Sequence, residues 1–322
     1  MIAVTDIAYV RYHAPDLAEM ASFYEDFGML KATQTTDAAD TIYLRGYGDA
    51  PFINVIERGA PASIGMGFYA ESADDLERLA REQGTTVEQS QAPGGGQVVR
   101  LKDPAGFLVE VVHGFTPAEA VAQREPVPGN NTLKRERYGQ TVRSQPEPAQ
   151  IQRIGHLVVS CPNLEEMLEF YTQVLGFTLS DGFYDGAPEN LKVAFLRCGL
   201  GDRWTDHHTL ALAPSRDGKA RFGHSAFEVT DLDDLVQGSE YLKRRGHRHS
   251  WGVGRHILGS QIFDYWRDPV ANHVEHWTDG DLVNDSVPPT LQQIGTDTMH
   301  QWGPEVPPVF FEPGPNLQAA ER

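Results

Sequence analysis

An internal repeat constrains this 322-residue chain more than any other feature of its sequence. The segment that starts at Asp6, DIAYVRYHAPDLAEMASFYEDFGML, resembles the segment that starts at Arg153, RIGHLVVSCPNLEEMLEFYTQVLGF. Each passes from a strand-like run through Pro and Leu into a helical pattern that carries a Phe-Tyr pair. Such self-similarity is typical of a duplicated structural unit. We therefore expect two related halves in one chain.

The two halves also match in their middle and at their ends. SIGMGFYAESADDLERLAREQG parallels RFGHSAFEVTDLDDLVQGSEYLKRRG, and both predict a strand followed by an amphipathic helix that ends at Gly84 or Gly246. DPAGFLVEVVHG, from Asp103, parallels DPVANHVEHWTDG, from Asp268, and both predict a turn followed by a strand. The order of these predicted strands and helices indicates an α+β fold in which each half contains two βαβββ modules.

The composition along the chain suggests where these parts begin and end. We expect a non-catalytic first half at 1–115, a connector rich in Pro, Asn and Gln at 116–150, and a second half at 151–280. The remaining 281–322 is rich in Pro and Gly but keeps several aromatic residues, which a disordered tail should lack. It is expected to pack on the second half and to cover its cavity as a lid.

The overall charge and hydropathy exclude several classes of partner. With 27 basic and 45 acidic residues, the net charge of -18 repels phosphate backbones, which argues against nucleic acid. No apolar run approaches the roughly 18 residues that a membrane span needs, and no signal peptide is recognisable at the N-terminus. Only Cys161 and Cys198 are present, which excludes a disulfide framework and favours the cytoplasm.

Three polar residues lie in the middle of otherwise apolar predicted strands: His156, His224 and Glu275. A polar group there is costly unless it is satisfied. A lone histidine is more often a core or surface residue than a ligand, and a lone buried glutamate fits an ion pair equally well. Two imidazoles and one carboxylate together, however, are a ligand set for Fe(II) oxygen chemistry, and they leave coordination positions for substrate and O2. Their combination in one half favours metal ligation.

The repeat supplies an internal comparison for this site. Alignment of the halves puts Tyr9 and Met66 at the positions of the two histidines. Glu110 matches Glu275, because both follow the aspartate of their Asp-Pro pair by seven residues. The first half is therefore expected to keep the scaffold and one carboxylate, and to bind no metal by this arrangement.

Over nearly the whole chain, these motifs resemble the type I extradiol dioxygenases of the vicinal oxygen chelate superfamily. The resemblance implies two tandem vicinal-oxygen-chelate domains, each of paired βαβββ modules that form a half-open barrel. It implies that His156, His224 and Glu275 bind Fe(II), with Mn(II) as the alternative ion, and it implies no organic cofactor. It further implies that O2 cleaves the ring of a catechol-type diol and that the protein is a homo-oligomer.

The resemblance also implies the catalytic residues. The acid/base histidine of the family falls in DHHTLAL on His208, with His207 as the alternative. Strand alternation would place His208 on the same face as Leu210 and opposite His207. The tyrosine that hydrogen-bonds the substrate falls on Tyr265, and the histidine that supports it falls on His256, nine residues earlier. The intervening ILGSQIFD differs from the polar stretch of biphenyl-diol enzymes, which leaves the substrate open.

Two other functions stay open. One is another enzyme of the same superfamily, either glyoxalase-like or 4-hydroxyphenylpyruvate dioxygenase-like. The 4-hydroxyphenylpyruvate dioxygenase-like enzymes need a 2-oxo acid. A metal-free small-molecule binding protein on this scaffold is the other. The remaining histidines of the second half are expected to be structural or surface residues: His247, His249, His273, His276 and His300.

Overall fold

The structure is a computed structural model that describes residues 2–32, 40–126, 128–295 and 299–317. Parts of the predicted segments lie outside the described residues: 1 and 33–39 of the first half, 127 of the connector, and 296–298 and 318–322 of the C-terminal extension.

The described part of the first half contains two helices and eight strands. In chain order they are β1 (Val4–Ala14), α1 (Leu17–Phe27), β2 (Leu30–Lys31), β3 (Thr41–Arg45), β4 (Asn54–Arg58), β5 (Ala62–Ala70), α2 (Ala73–Gln83), β6 (Glu88–Gln89), β7 (Gln97–Lys102) and β8 (Leu108–His113). The strands form one sheet in the order β2-β3-β4-β1-β5-β8-β7-β6. In each module the first strand runs parallel to the last, and the two modules meet at the antiparallel pair β1 and β5.

The second half repeats this arrangement. Its elements are β9 (Ile151–Cys161), α3 (Leu164–Gln173), β10 (Phe177–Tyr184), β11 (Leu191–Cys198), β12 (Thr205–Asp206), β13 (Leu210–Pro214), β14 (Arg221–Val229), α4 (Leu232–Arg245), β15 (Arg248–Arg255), β16 (Ile262–Arg267) and β17 (His273–Thr278). The extension adds β18 (Leu282–Val283), β19 (Thr290–Gln293) and a 3-10 turn (Pro308–Phe311). The large sheet has the order β15-β16-β17-β14-β9-β13-β11-β10-β19.

The repeat predicted from the sequence is confirmed at the level of single residues. Strands β1 and β9 both have 11 residues and share one order of buried and half-buried positions. Tyr9 and His156 are both the sixth residue of their strand. Each large sheet is open, since its edge strands pair only on one side. The two halves are therefore tandem α+β units of paired βαβββ modules, as predicted.

Helix α1 is fixed at both of its ends. The carboxylate of Asp16 accepts hydrogen bonds from the backbone N–H groups of Ala18 and Glu19, which caps the first turn. The helix ends at Gly28, whose φ of 110° lies in the left-handed region. A Cβ at this position would lie 2.1 Å from the carbonyl oxygen of Ala149. The end of the first helix is therefore packed directly on the segment that leads into β9.

Two reciprocal hydrogen bonds join the halves. The hydroxyl of Tyr24 donates to Asp268, at 3.3 Å, and the hydroxyl of Tyr171 donates to Asp103, at 2.9 Å. All four side chains are buried. Each bond pairs the Phe-Tyr motif of one half with the Asp-Pro motif of the other, within a hydrophobic core that includes residues of both halves. The two repeated motifs therefore hold the halves together.

The described residues between 116 and 150 form neither helix nor strand, and they run from the first half to the second. We propose domain boundaries at residues 115, 150 and 280, since the two large sheets divide on either side of this segment. None of the helices in the described ranges is long and apolar enough to cross a membrane.

Gly28 and Gly84, which end the two helices described in the first half, offer a comparison that tests this packing. Gly84, at the end of α2, also has a positive φ, of 64°, but a Cβ there would meet nothing within 4 Å. We expect Gly84→Ala to cost about 1–2 kcal/mol, the penalty for a left-handed alanine. Gly28→Ala should cost about 1–3 kcal/mol more, because its Cβ meets backbone. Urea unfolding of both variants measures the difference; equal losses would contradict the packing at Ala149.

Candidate active site

Three predicted ligand side chains converge from neighbouring strands at the centre of the second sheet. His156 is on β9, His224 on β14 and Glu275 on β17. The two Nε2 atoms are 3.3 Å apart, and they lie 3.2 and 3.1 Å from the same carboxylate oxygen of Glu275. The predicted ligand set is thus brought together, as the one such His/Cys/Asp/Glu group found among the described residues.

The arrangement fits a single metal ion. Bonds of about 2.0–2.2 Å from a metal to nitrogen or oxygen leave neighbouring ligand atoms about 3 Å apart, which is the spacing seen here. Glu275 is fully buried, and neither of its carboxylate oxygens has a hydrogen-bond partner within the described residues. A buried carboxylate without donors needs a cation beside it. His156, His224 and Glu275 therefore present three ligands to a common point.

The protonation states suit metal binding. Burial lowers the pKa of His156, although its contacts with Glu275 act in the opposite direction. Burial alone would raise the pKa of Glu275, but its contacts with His156 and His224 outweigh this and hold the pKa well below its usual range. The site is thus built from an ionised carboxylate and an imidazole that favours its neutral form, as metal ligation requires.

The first half neutralises its equivalent carboxylate without a metal. One oxygen of Glu110 accepts hydrogen bonds from the Tyr9 hydroxyl, at 3.0 Å, and from Arg11, at 2.9 Å. The other oxygen accepts from Arg100, at 2.9 Å. Arg100 is the partner of Glu110 on the neighbouring strand, and Tyr265 is the equivalent partner of Glu275 in the second half. Arginine thus supplies the positive charge in this half.

The predicted alignment of Met66 with His224 is wrong by one residue. Gly67 pairs with Tyr9 of β1, and Ala226 pairs with His156, the equivalent residue of β9. Two residues before each of these are Gly65 and His224, so the first half has no side chain at this place. The match of neighbouring glycines in the sequence caused the error, and the absence of a second histidine in the first half still holds.

The two adjacent histidines before β13 have different surroundings. His208 lines the cavity beside the ligands, and its ring centroid is 4.2 Å from that of His156. His207 lies behind it, with the two Nδ1 atoms 3.1 Å apart. The strand predicted to include both histidines begins only at Leu210, so strand alternation does not decide which way their side chains point. Both rings are buried. The structure places His208, the favoured candidate, on the cavity.

Tyr265 and His256 form a hydrogen-bonded pair beside the ligands. The Nδ1 of His256 is 2.8 Å from the carbonyl oxygen of Met299 and must donate to it. Its Nε2 therefore accepts from the Tyr265 hydroxyl, at 2.8 Å. Burial lowers the pKa of His256 to about 4, so the ring is neutral at neutral pH. The sequence spacing of nine residues thus corresponds to a direct contact.

A cavity of about 510 Å³ opens in front of these side chains. A volume in the range of roughly 300–1,000 Å³ is typical of small-molecule sites. One part of its wall is formed by six apolar side chains: Phe183, Val193, Phe195, Leu258, Ile294 and Met299. The cavity wall therefore combines the polar side chains of the candidate site with an apolar surface.

His273 is a cavity residue that the sequence analysis missed. It was predicted to be structural or on the surface, but it lines the cavity, with its Nε2 2.6 Å from the Ser250 hydroxyl. It precedes Glu275 by two residues on β17, so both side chains lie on one face of the sheet. This spacing was the signal that could have revealed it.

The described part of the C-terminal extension forms another part of the cavity wall. Strand β19 adds to the edge of the second sheet beside β10, and Trp251 donates to the carbonyl oxygen of Pro304, at 2.8 Å. Ile294, Met299 and Phe310 reach the cavity. The tail therefore contributes side chains and one backbone carbonyl to the site.

The comparison with known families concerns this half of the chain. Residues 153–275 match the family described as the Glyoxalase/Bleomycin resistance protein/Dioxygenase superfamily. The matched residues run from β9 to the ligand position Glu275 and include both ligand histidines.

Individual relatives extend the likeness over both halves. Metapyrocatechase 2 of Cupriavidus necator is 29% identical over 313 residues, which are 96% of this chain and 92% of the relative. The iron-dependent extradiol dioxygenase of Rhodococcus jostii (strain RHA1) is 27% identical over 303 residues, 88% of this chain and 92% of the relative. Among solved structures, the Mn(II)-bound glyoxalase from Novosphingobium aromaticivorans has a TM-score of 0.79 at 26% identity and covers 99% of both chains. The resemblance predicted from the sequence is confirmed.

The two equivalent glutamates should respond differently to the same substitution. Glu275→Gln should weaken binding of Fe(II) by more than about 100-fold, because it removes a ligand charge. Glu110→Gln should leave metal binding intact but lower the free energy of unfolding by about 1–3 kcal/mol, since Arg11 and Arg100 lose their shared partner. Metal titration and thermal unfolding of both variants separate these effects. Metal binding that survives in Glu275→Gln would contradict the site.

Proposed function

We propose that this protein is an extradiol dioxygenase that opens the ring of a catechol-type diol with O2. One observation carries the proposal: a two-histidine, one-carboxylate group faces a cavity that also contains His208 and the Tyr265–His256 pair. The metapyrocatechase and the extradiol dioxygenase named above are similar to this chain in sequence over most of their length. The proposed activity belongs to the catabolism of aromatic compounds.

We propose Fe(II) as the ion held by His156, His224 and Glu275, with Mn(II) as the alternative. One relative is named as iron-dependent and one solved structure contains Mn(II), so the relatives support both ions. Such an ion supplies the Lewis acidity and the redox chemistry that reaction of a diol with O2 requires.

His208 is proposed to be the acid/base residue. Burial and the neighbouring histidines hold the pKa of His208 well below its usual value, so the ring is neutral in the resting enzyme. A neutral imidazole beside His156 can accept a proton from a diol hydroxyl and later return it to the product. His208 itself is buried, which limits its contact with bulk water.

Tyr265 and His256 are proposed to orient the substrate. The contact between His256 and the carbonyl oxygen of Met299 fixes the imidazole, which in turn holds the Tyr265 hydroxyl at 2.8 Å. The pKa of Tyr265 is raised well above its usual value, first by burial and then by Glu275. Its hydroxyl therefore keeps its proton, which it donates to His256, and its oxygen can accept a hydrogen bond from a substrate hydroxyl beside the ligands.

The apolar part of the cavity favours a catechol with a hydrophobic substituent. Phe183, Val193 and Ile294 lie on this part of the wall. A methyl or aryl group would bury apolar surface there, whereas a carboxylate would lose its hydration. The positively charged Arg216 lies at the exposed rim and stacks on Phe311, at 4.9 Å.

We also propose a cytoplasmic homo-oligomer. Both cysteines are buried free thiols, which suits a reducing compartment. Trp204 and Leu282 expose 60% and 59% of their surface, which suits burial against a second copy of the chain.

The first experiment is anaerobic purification, analysis of the bound metal, and measurement of O2 uptake with catechol, 3-methylcatechol and 2,3-dihydroxybiphenyl. We expect one O2 consumed per diol and a yellow ring-opened product. His208→Phe should lower this turnover by about 10²–10⁴-fold while the metal is retained, because a proton acceptor is lost. His113→Phe, in the first half, is the control. Unchanged turnover in His208→Phe would exclude its acid/base role.

The glyoxalase alternative rests on the Mn(II)-bound solved structure and gives a different result. It predicts isomerisation of a thiol–aldehyde adduct without O2 uptake. A 4-hydroxyphenylpyruvate dioxygenase-like enzyme would need an added 2-oxo acid. Full metal content without turnover of any diol would overturn the proposed function, and absence of both metal binding and turnover would favour a binding protein.

Substrate preference tests the apolar wall separately. We expect kcat/KM for 2,3-dihydroxybiphenyl to exceed that for a carboxylated catechol by more than about 10-fold, since the charged group would be desolvated. Phe183→Ala should lower kcat/KM for the biphenyl substrate more than for unsubstituted catechol. A preference for the carboxylated substrate would show that charged rim residues, and not the apolar wall, select the substituent.

A further inference from the structure

A chain of hydrogen-bonding groups extends from the cavity into the sheet behind His208. The Nδ1 of His208 is 3.1 Å from the Nδ1 of His207, and the Nε2 of His207 is 2.8 Å from Oδ2 of Asp181. Both histidines are buried, and the Asp181 side chain is 16% exposed. His208 reaches the cavity, whereas the other two do not.

The end of this chain can only accept hydrogen bonds. Oδ1 of Asp181 accepts from both the backbone N–H and the hydroxyl of Thr290, on β19. Burial alone would raise the pKa of Asp181, but the hydrogen bonds from His207 and Thr290 outweigh it and lower the pKa. Asp181 is therefore an ionised acceptor whose Oδ2 is reserved for His207.

The direction of each hydrogen bond follows from this acceptor. In its neutral form, His207 carries its proton on Nε2 to donate to Asp181, which leaves its Nδ1 without a proton. That bare Nδ1 can only accept, so the proton between the two rings belongs to Nδ1 of His208. The Nε2 of a neutral His208 then has no proton. A bare Nε2 is the form that can accept a proton from a substrate.

We propose that Asp181 and His207 are positioning residues that fix His208 in the tautomer whose unprotonated Nε2 is available to the cavity. The inference rests on the proposed function, in which the O–H bond of the diol breaks and an N–H bond forms at Nε2 of His208. The electron pair of the broken bond stays on the diol oxygen, and no oxidant is consumed in this step. Phe195 packs on both rings, with centroid distances of 5.9 Å to His207 and 5.1 Å to His208, and holds them in place.

Asp181→Asn is the decisive substitution, because the structure fixes how the amide will lie. The backbone N–H of Thr290 must still meet an acceptor, so the amide oxygen stays at Oδ1 and the NH2 group faces His207. His207 would then accept at Nε2 and carry its proton on Nδ1. The proton of His208 is forced onto Nε2, which can no longer accept one from the diol.

The inference predicts a loss of turnover without a loss of binding. In the Asp181→Asn variant, kcat should fall by at least about 100-fold, while anaerobic diol binding and metal content stay within about 3-fold of wild type; an inverted tautomer in a His–carboxylate pair can cost about 10⁴-fold. Asp185→Asn, which changes an exposed carboxylate near the same two strands with no histidine contact among the described residues, should leave kcat unchanged. Wild-type kcat in Asp181→Asn would overturn the inference.

A double variant separates positioning from general structural damage. If Asp181 acts through His208, adding Asp181→Asn to His208→Phe should lower the rate by less than about 2-fold further. Independent, multiplied losses would contradict the inference.

Nitrogen-15 spectra of histidine-labelled, metal-free protein give a readout without turnover. The His208 ring is assigned by its loss in His208→Phe. At neutral pH we expect its Nε2 to be unprotonated in wild type and protonated in Asp181→Asn. A wild-type His208 with its proton on Nε2 would overturn the inference even if Asp181→Asn failed to fold. If wild type opened no diol, the proposed function would fail, and these spectra would still decide the tautomer.

Discussion

A carboxylate in the middle of an apolar sheet has to be neutralised, and the two halves of this chain do so differently. Glu110 is surrounded by Arg11, Arg100 and the Tyr9 hydroxyl, so its charge is balanced by the protein itself. Glu275 has no such donors among the described residues, and two imidazoles lie beside it instead. The same strand position is therefore a structural ion pair in one half and a candidate cation site in the other.

This divergence is possible because the scaffold does not depend on it. Tyr24 with Asp268 and Tyr171 with Asp103 join the halves at a distance from both carboxylates. These bonds connect the helix of one half with the turn before the last strand of the other. The side chains around Glu110 and Glu275 can therefore differ while these two hydrogen bonds between the halves are kept.

The sequence predicted the α+β repeat and the three residues that converge in the second sheet, His156, His224 and Glu275, because polar residues are conspicuous in apolar strands and the repeat provided its own comparison. It failed where local geometry departs from regular strands. His207 and His208 precede the strand that begins at Leu210, so strand alternation is not the reason that His208 faces the cavity and His207 does not. Matching glycines shifted Met66 by one place relative to the sheet register. Contacts with the tail, such as Met299 with His256, depend on long-range folding and have no periodic signal.

The hydrogen bonds from the tail matter for the order of the site. The backbone N–H of Thr290 binds Asp181, and the carbonyl of Met299 fixes His256. Both residues follow every candidate ligand and the candidate acid/base histidine in the sequence. A chain truncated after Gly280 would therefore keep His156, His224, Glu275 and His208, but it would lack the groups that orient Asp181 and His256. The tail supplies no candidate ligand, yet it determines how polar side chains around the candidate site are held.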